Sequence, residues 1–315
     1  MRVIRSLVCL AAAASAAAQT PAKPLVERLG FPPGTKVLLM NADDAGILHA
    51  ENVATIDALK RGLVGSATVM TPAPWFPEFA SMVKAHPELD IGVHLTFTSE
   101  WTGYRFGPIL GTAGAPSLVD SSGFFHLSLA SMYAKATVDE AEAEGRAQIK
   151  RALDAGIDVS HLDMHMHALG LDARFFDVYL KLAREFDLPV RFIPPNEDVR
   201  RAQATRLRQA GIIFQDYVIV GADQEPGETL PVYWRRKIRQ LAPGVVTELY
   251  IHVSQDDPEL RAMTVDQPFR TGWRDRVAEY RIFTDPAMKR LVDSAGVKLI
   301  HWKDLRALQR KEQGK

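Results

Sequence analysis

The sequence predicts an α/β protein: a single (β/α) barrel, similar to a TIM barrel, with seven or eight strands and not necessarily regular. Short apolar runs alternate with helical patterns along the chain, which indicates parallel strands joined by right-handed crossovers. Seven or eight such units favour a closed barrel over an open doubly wound sheet. The length of 315 residues also fits one barrel better than two ordinary domains.

We interpret residues 1–18 as a cleavable signal peptide. Arg2 and Arg5 precede an apolar stretch that is too short to span a membrane, and small residues near position 18 fit a cleavage site. Residues 19–315 then form the barrel domain, and we expect a secreted or periplasmic protein. The one cysteine, Cys9, lies in this leader, so the mature chain offers neither disulfides nor thiolate ligands.

Charge and composition exclude several classes of partner. The formal net charge is zero and no basic run is present, so we expect no nucleic-acid partner. After the leader, no stretch is apolar enough for a membrane span. No glycine-rich phosphate-binding motif follows any predicted strand. A homodimer is among the states that the sequence leaves open.

Eight segments have the composition of strands. In chain order they are VLLMNAD (37–43), SATVMTPA (66–73), DIGVHLTFT (90–98), SHLDMHMHA (160–168), VRFIPP (190–195), DYVIVGA (216–222), VVTELYIHV (245–253) and VKLIHW (297–302). Helical patterns lie between most of them. One of these begins with acidic residues and ends with basic ones before Gly156, which suits the helix dipole; we expect its glutamates on a solvated face.

Residues 99–134 interrupt this alternation after the third strand. The segment is rich in glycine, serine, proline and aromatic residues, including Trp101. A long loop in a compact domain is usually functional or disordered, and its aromatic residues argue against disorder. Because the loop follows a strand, it would lie on the carboxyl-terminal face of a barrel, where active sites are built. We therefore predict an active-site loop at 99–134.

Alternation of side chains places several histidines on the inner face of three strands. This face carries His94 in the third strand, His161, Asp163, His165 and His167 in the fourth, and Glu248, Tyr250 and His252 in the seventh. Burying unpaired histidines and carboxylates is costly. Such a group therefore needs mutual partners or a metal ion.

The stretch NADDAG at 41–46 adds two adjacent carboxylates at the end of the first strand. Neighbouring carboxylates resist simultaneous ionisation unless positive charge lies beside them. A divalent cation, zinc or magnesium, held by one aspartate and by histidines from other strands would supply that charge. The other aspartate would stay free as a proton acceptor, and Gly46 permits the turn that lets both face inward.

Four segments resemble the signature segments of the YdjC-type (ChbG-like) carbohydrate deacetylases. They are NADDAG, HLTFT at 94–98, HLDMHMH at 161–167 and TELYIH at 247–252, and the similarity extends from about residue 36 over nearly the whole mature chain. The resemblance implies a (β/α) barrel that uses a divalent metal to remove N-acetyl groups from amino sugars such as chitooligosaccharides.

By position, the resemblance also implies roles for individual residues. The implied metal ligands are Asp44, His94 and His165; the general base is Asp43, and His252 is the best candidate for the acid. Apart from the resemblance, we expect substrate contacts from His167 and Glu248 on the inner face, and from Trp101, which follows the third strand in the loop. The sequence departs from the family pattern at Ala45, Leu169 and Val253, and none of these departures removes an implied ligand.

Two other functions are compatible with a barrel. One is a glycoside hydrolase with paired carboxylates, but adjacent aspartates backed by histidines describe a metal site better. The other is a periplasmic sugar-binding protein on a non-catalytic barrel. Binding alone would require neither Asp43 nor His252, so we favour the deacetylase, with an acetylated sugar or oligosaccharide as substrate.

Overall fold

The structure is a computed structural model that describes residues 23–219, 223–265 and 272–315. The predicted signal peptide, residues 1–18, lies outside the described residues. Across the described ranges, no helix has both the length and the apolar character that crossing a bilayer requires.

Seven parallel strands form one sheet in the described part of the chain. The strands are β1 (Lys36–Ala45), β2 (Ser66–Val69), β3 (Ile91–Leu95), β4 (Val159–Met164), β5 (Tyr217–Ile219), β6 (Val246–His252) and β7 (Val297–Ile300). Their order is β4-β3-β2-β1-β6-β5, and β7 pairs with the first half of β1. Strand β1 is therefore the centre of the sheet, with three hydrogen-bonded partners.

Helices connect and cover these strands. They are α1 (Leu25–Arg28), α2 (His49–Lys60), α3 (Phe76–Lys84), α4 (Gly111–Gly114), α5 (Leu129–Lys135), α6 (Val138–Asp154), α7 (Ala173–Glu185), α8 (Glu197–Gln209), α9 (Leu230–Arg239), α10 (Pro258–Met263), α11 (Trp273–Thr284), α12 (Pro286–Ser294) and α13 (Trp302–Glu312). Short 3₁₀ turns cover Pro116–Leu118 and His165–His167. The predicted alternation of strands and helices is confirmed.

The prediction of a closed TIM-like barrel is wrong, because the sheet is a curled half-barrel that stays open between β4 and β5. The expected strand at 190–195 does not form. Val190 makes only an isolated bridge with Leu162 and donates one backbone hydrogen bond to Ile213. Pro194 and Pro195 follow, and because proline cannot donate to a strand ladder, the bridge does not extend into a strand there.

The inner face of the sheet changes from apolar to charged along β1. At the start of the strand, Val37 and Leu39 pack in a buried cluster with Trp302 of α13. Further along, the same face carries Asn41 and Asp43, since alternate residues share a face. The apolar end supplies a rigid floor, and the polar groups collect at the carboxyl ends of the strands.

The insertion at 99–134 is ordered and packs against the core. Phe106 and Phe125 are buried in it, and helix α5 closes it. The carboxylate of Glu144 on α6 accepts hydrogen bonds from the backbone N–H groups of Ile109 (3.0 Å) and Leu110 (3.1 Å). The expectation of a solvated face is therefore wrong for Glu144, which is fully buried because these amides need an acceptor.

Beneath the charged groups, a histidine stacks on a tryptophan. The ring of His161 lies 4.4 Å from that of Trp302 with an interplanar angle of 7°, and both are fully buried. Gly92 on the neighbouring strand leaves the space for this ring, since a Cβ atom at position 92 would lie 2.4 Å from Cε1 of His161. The glycine is thus required by packing.

We expect Gly92→Ala to lower the free energy of unfolding by about 1–3 kcal/mol, the usual cost of overfilling a packed core. Gly103→Ala is the matched control, because a Cβ atom there meets no heavy atom within 4 Å. Urea unfolding of both variants measures the difference. Equal stability of the two variants would contradict this account of the His161 stack.

Candidate active site

The two adjacent aspartates lie on one side of the sheet because β1 is bulged where they occur. Between Ala42 and Ala45, β1 has one residue more than its partner β2, and Asp44 has a left-handed backbone with φ of 66°. Such a conformation is costly for residues other than glycine and breaks the alternation of faces. Both Asp43 and Asp44 therefore lie beside His94, as NADDAG predicted.

Asp44, His94 and His165 form a buried group whose ligand atoms all lie within 4.8 Å of one another. Oδ1 of Asp44 lies 3.3 Å from Nε2 of His94 and 3.4 Å from Nδ1 of His165. This oxygen is buried and makes no hydrogen bond of ordinary geometry. One carboxylate and two imidazoles suit zinc or a similar divalent ion, so the residues present fit a metal.

In each histidine of this group, the ring nitrogen that faces away from Asp44 contacts a second carboxylate. Nδ1 of His94 lies 2.9 Å from Oδ2 of Asp163, and Nε2 of His165 lies 2.9 Å from Oε2 of Glu100. Burial lowers the pKa of both histidines, but the neighbouring carboxylates outweigh it and raise the pKa of His94 to about 10 and of His165 to about 9. A divalent cation between Asp44 and the two histidines would displace the protons that these imidazoles otherwise bind.

A buried arginine compensates the charge of Asp44. Nη2 of Arg276 lies 2.7 Å from Oδ2 of Asp44, and Nη1 lies 2.7 Å from Oε1 of Glu51. Burial raises the pKa of Asp44, yet the Arg276 guanidinium and the adjacent histidines hold it well below its usual range. Burial raises the pKa of Glu51 to about 8. Arg276 thus fixes the outer oxygen of Asp44 and leaves Oδ1 for the histidines.

A second buried arginine holds Asp43. Nη1 and Nη2 of Arg191 lie 2.6 and 2.9 Å from the two oxygens of Asp43. The same guanidinium lies 2.5 Å from Asp163 and 2.8 Å from Glu248. Asp43, His94 and Asp163 also have the spacing of a metal group, but the guanidinium supplies the positive charge between the two aspartates.

His252 lies near the oxygen of Asp44 that Arg276 holds. Its Nε2 is 3.8 Å from Oδ2 of Asp44, and its backbone N–H donates to Glu279 at 2.8 Å. The side chain is 17% exposed, so it can meet a ligand. Burial lowers the pKa of His252 to about 4, against the opposing effect of Asp44.

His167 does not continue a strand, contrary to the predicted strand at 160–168. Strand β4 ends at Met164, and His165–His167 form a 3₁₀ turn in which Met166 and His167 have φ of 53° and 58°. His167 packs edge-on against Tyr250 at 6.3 Å and is partly exposed. Burial lowers its pKa to about 4. Its predicted contact with a substrate stays a prediction.

Two other residues predicted to contact substrate lie below the surface of the site. Trp101 is 1% exposed and stacks on the ring of His165 at 5.6 Å. Glu248 is fully buried against Arg191, and burial raises its pKa to about 7. The structure therefore gives both a supporting position, and a contact of either with substrate stays a prediction.

Sequence reasoning missed Arg191, Arg276 and Glu100. The sequence does contain an indication for Arg191, because it is a charged residue inside the apolar run LPVRFIPP. A charge buried in such a run requires a partner of opposite charge. The sequence contains no such indication for Arg276, because an arginine in a helix such as α11 is typical of a solvated face. Glu100 lies in the segment that the sequence predicts as a loop, and only the fold brings it to His165.

The fold and the site define a parallel α/β protein with an Asp/His/His group at the carboxyl ends of its strands. The chain belongs to the YdjC-like family, whose model matches residues 37–294. This confirms the resemblance carried by the four sequence segments.

Relatives with known names or structures cover most of the chain. A carbohydrate deacetylase of Thermus thermophilus is 34% identical over 85% of this chain and 93% of its own length. One of Enterococcus faecalis is 30% identical, over 86% and 98%. A crystal structure from Enterococcus faecalis V583, described provisionally as a cellobiose-phosphate cleavage protein, has 27% identity and a TM-score of 0.72 and covers 86% of this chain and 99% of its own.

We expect Arg191→Met to lower the free energy of unfolding by about 3–5 kcal/mol, because it leaves buried carboxylates without their positive partner. Arg146→Met is the matched control. Arg146 lies at the surface, 2.7 Å from Glu142 and 2.6 Å from Glu185, and its loss should cost less than about 1 kcal/mol. Denaturant unfolding compares the two, and a similar cost for both would show that the Arg191 ion pairs are not special.

Proposed function

We propose that this chain is a metal-dependent hydrolase that removes N-acetyl groups from an amino sugar or an acetylated oligosaccharide of the chitooligosaccharide type. The observation that carries the proposal is the buried group of Asp44, His94 and His165 with a second carboxylate, Asp43, beside it. Membership of the YdjC-like family and relatives named carbohydrate deacetylase support it. The leader pattern at 1–18 supports action after export.

Asp44, His94 and His165 would hold the divalent ion, zinc or magnesium. When bound, such an ion supplies Lewis-acid polarisation of an acyl oxygen and lowers the pKa of water. The protein's part is to fix the three donor atoms. Arg276 holds the outer oxygen of Asp44, and Asp163 holds the outer nitrogen of His94.

Asp43 is the proposed acceptor of a proton from the attacking water. A carboxylate has about four lone-pair positions, and three contacts engage it here: two from Arg191 and one from Asn41 at 2.8 Å. The guanidinium fixes the plane of the carboxylate, so the remaining acceptor position has a defined direction. A positioned base contributes about 10²–10⁴-fold to the rate.

His252 is the proposed acid for the departing amine. Its Nε2 lies near Oδ2 of Asp44, whereas His94 and His165 lie near Oδ1. Its side chain is also more exposed than those of the other two histidines. An amine leaves a tetrahedral intermediate only when it gains a proton. Once His252 has taken up a proton, its low pKa makes it a strong donor toward that amine. Its role is proposed by its place in the site and by the family resemblance.

The adjacent aspartates should differ in what they hold. We expect Asp44→Asn to lose metal and activity together, while Asp43→Asn keeps the metal and loses rate by about 10²-fold or more. Metal content after dialysis, and acetate release from an N-acetylated chitooligosaccharide, measure the two effects. Asp293→Asn is the control, since Asp293 pairs with Lys289 on the surface. Loss of metal from Asp43→Asn alone would reverse the roles.

His252→Ala should discriminate by leaving group. We expect a severe loss on an N-acetylated sugar, whose amine needs a proton, and a much smaller loss on an activated aryl acetate, whose phenolate departs without one. Rates of acetate and phenolate release measure this. Equal losses on both substrates with metal retained would make His252 structural and leave His167 as the next candidate for the acid.

A further inference from the structure

We infer that Glu100 is a positioning residue that fixes the ring of His165 so that Nδ1 faces the metal, and that Trp101 holds the plane of that ring. This inference rests on the proposed metal site. The insertion at 99–134 would thus act on the metal site through its first residues. This goes beyond the three ligands themselves, because it assigns a function to two side chains that bind no metal.

The backbone at His165 does not by itself determine where the ring points. Strand β4 ends one residue earlier, at Met164, and the two residues that follow His165 both have left-handed backbone. A regular strand would direct the side chain by alternation, and that constraint ends here. The orientation of the imidazole must therefore come from its neighbours.

Trp101 restricts the plane of the ring. Its indole lies 5.6 Å from the imidazole of His165 at an interplanar angle of 27°, and it is backed by Phe106 at 6.1 Å. Stacking of this kind tolerates a rotation of the imidazole by 180° about its Cβ–Cγ bond, because the plane is unchanged. Trp101 therefore leaves two orientations of the ring.

Glu100 selects between these two orientations. Both of its carboxylate oxygens lie within hydrogen-bond distance of Nε2 of His165, at 3.0 and 2.9 Å. The rotated ring would present Cε1 to this carboxylate and Cδ2 to Asp44, so one side would lose its hydrogen bond and the other would lose its ligand nitrogen. With Nε2 held by Glu100, Nδ1 faces Oδ1 of Asp44 at 3.4 Å.

The insertion in turn holds Glu100 in place. Just before it, Thr98 forms a bridge with His126, and Ser99 donates a backbone hydrogen bond to the carbonyl of the same residue. The side chain of Glu100 is 13% exposed. An anchored carboxylate of low exposure can also make the histidine a more basic ligand.

The test compares Glu100→Ala and Glu100→Gln with Glu88→Gln, an exposed carboxylate that lies 3.4 Å from Nδ1 of His86 at the surface. Zinc affinity is measured by calorimetry, and ¹⁵N NMR of the zinc-loaded protein reports which nitrogen of His165 binds zinc. In the wild type we expect coordination through Nδ1 with Nε2 protonated.

We expect Glu100→Ala to raise the zinc Kd by about 10–100-fold, the usual cost of losing a partner of a ligand histidine, and to remove the Nδ1 signature of His165. Glu100→Gln should rescue part of this, with a rise of about three- to tenfold, because its amide oxygen still accepts the Nε2 proton without the charge. Glu88→Gln should leave the Kd within about twofold, as surface pairs contribute little.

Zinc affinity and Nδ1 coordination that are unchanged in Glu100→Gln and Glu100→Ala would overturn the inference and leave the proposed function intact. If the alanine variant does not fold, the glutamine variant decides alone, because an unchanged Kd there is already the opposing result. A wild-type protein that binds neither zinc nor magnesium would overturn the proposed metal site, and this inference with it.

Discussion

The constraint on which the site depends is the burial of two adjacent carboxylates at the end of the central strand. Asp43 is 4% exposed and Asp44 is 1% exposed. Two such charges can share a buried site only where positive charge meets each of them. Arg191 reaches Asp43 and Arg276 reaches Asp44. Because the two guanidiniums come from different segments, each carboxylate is held in its own orientation.

The open side of the sheet makes Arg191 a structural link as well as a charge partner. Strands β4 and β5 are joined by no continuous ladder, and the segment around Val190 contributes only isolated contacts. The side chain of Arg191 crosses this gap, with ion pairs to Asp163 on β4 and Glu248 on β6. The ion pairs of Arg191 thus connect β4 and β6, which share no backbone hydrogen bonds. The same guanidinium also orients Asp43.

The sequence could predict the features that depend on strand periodicity. Alternation in HLTFT and TELYIH placed His94 and His252 on the inner face. NADDAG indicated that both aspartates face inward, but it attributed this to a turn at Gly46, whereas a bulge between Ala42 and Ala45 produces it. The sequence could not predict features set by long-range packing. The apolar run VRFIPP indicated a strand, but its backbone makes only an isolated bridge to Leu162 and one hydrogen bond to Ile213. The segment HLDMHMH indicated one continuous strand, but the strand ends at Met164, and Met166 and His167 have left-handed backbone. Glu100 and Arg276 reach the site only through the tertiary fold.

The position of β1 at the centre of the sheet also makes its pairing depend on the far end of the chain. Strand β1 ends at Ala45, yet two of its three partners, β6 and β7, begin only at Val246 and Val297. Contacts between residues so distant in sequence form slowly, because a long loop must close before they are gained. The strand that carries both aspartates is therefore among the first to be synthesised and the last to be completed. Until the final segments return to it, the unpaired N–H and C=O groups along its edge are exposed to other chains.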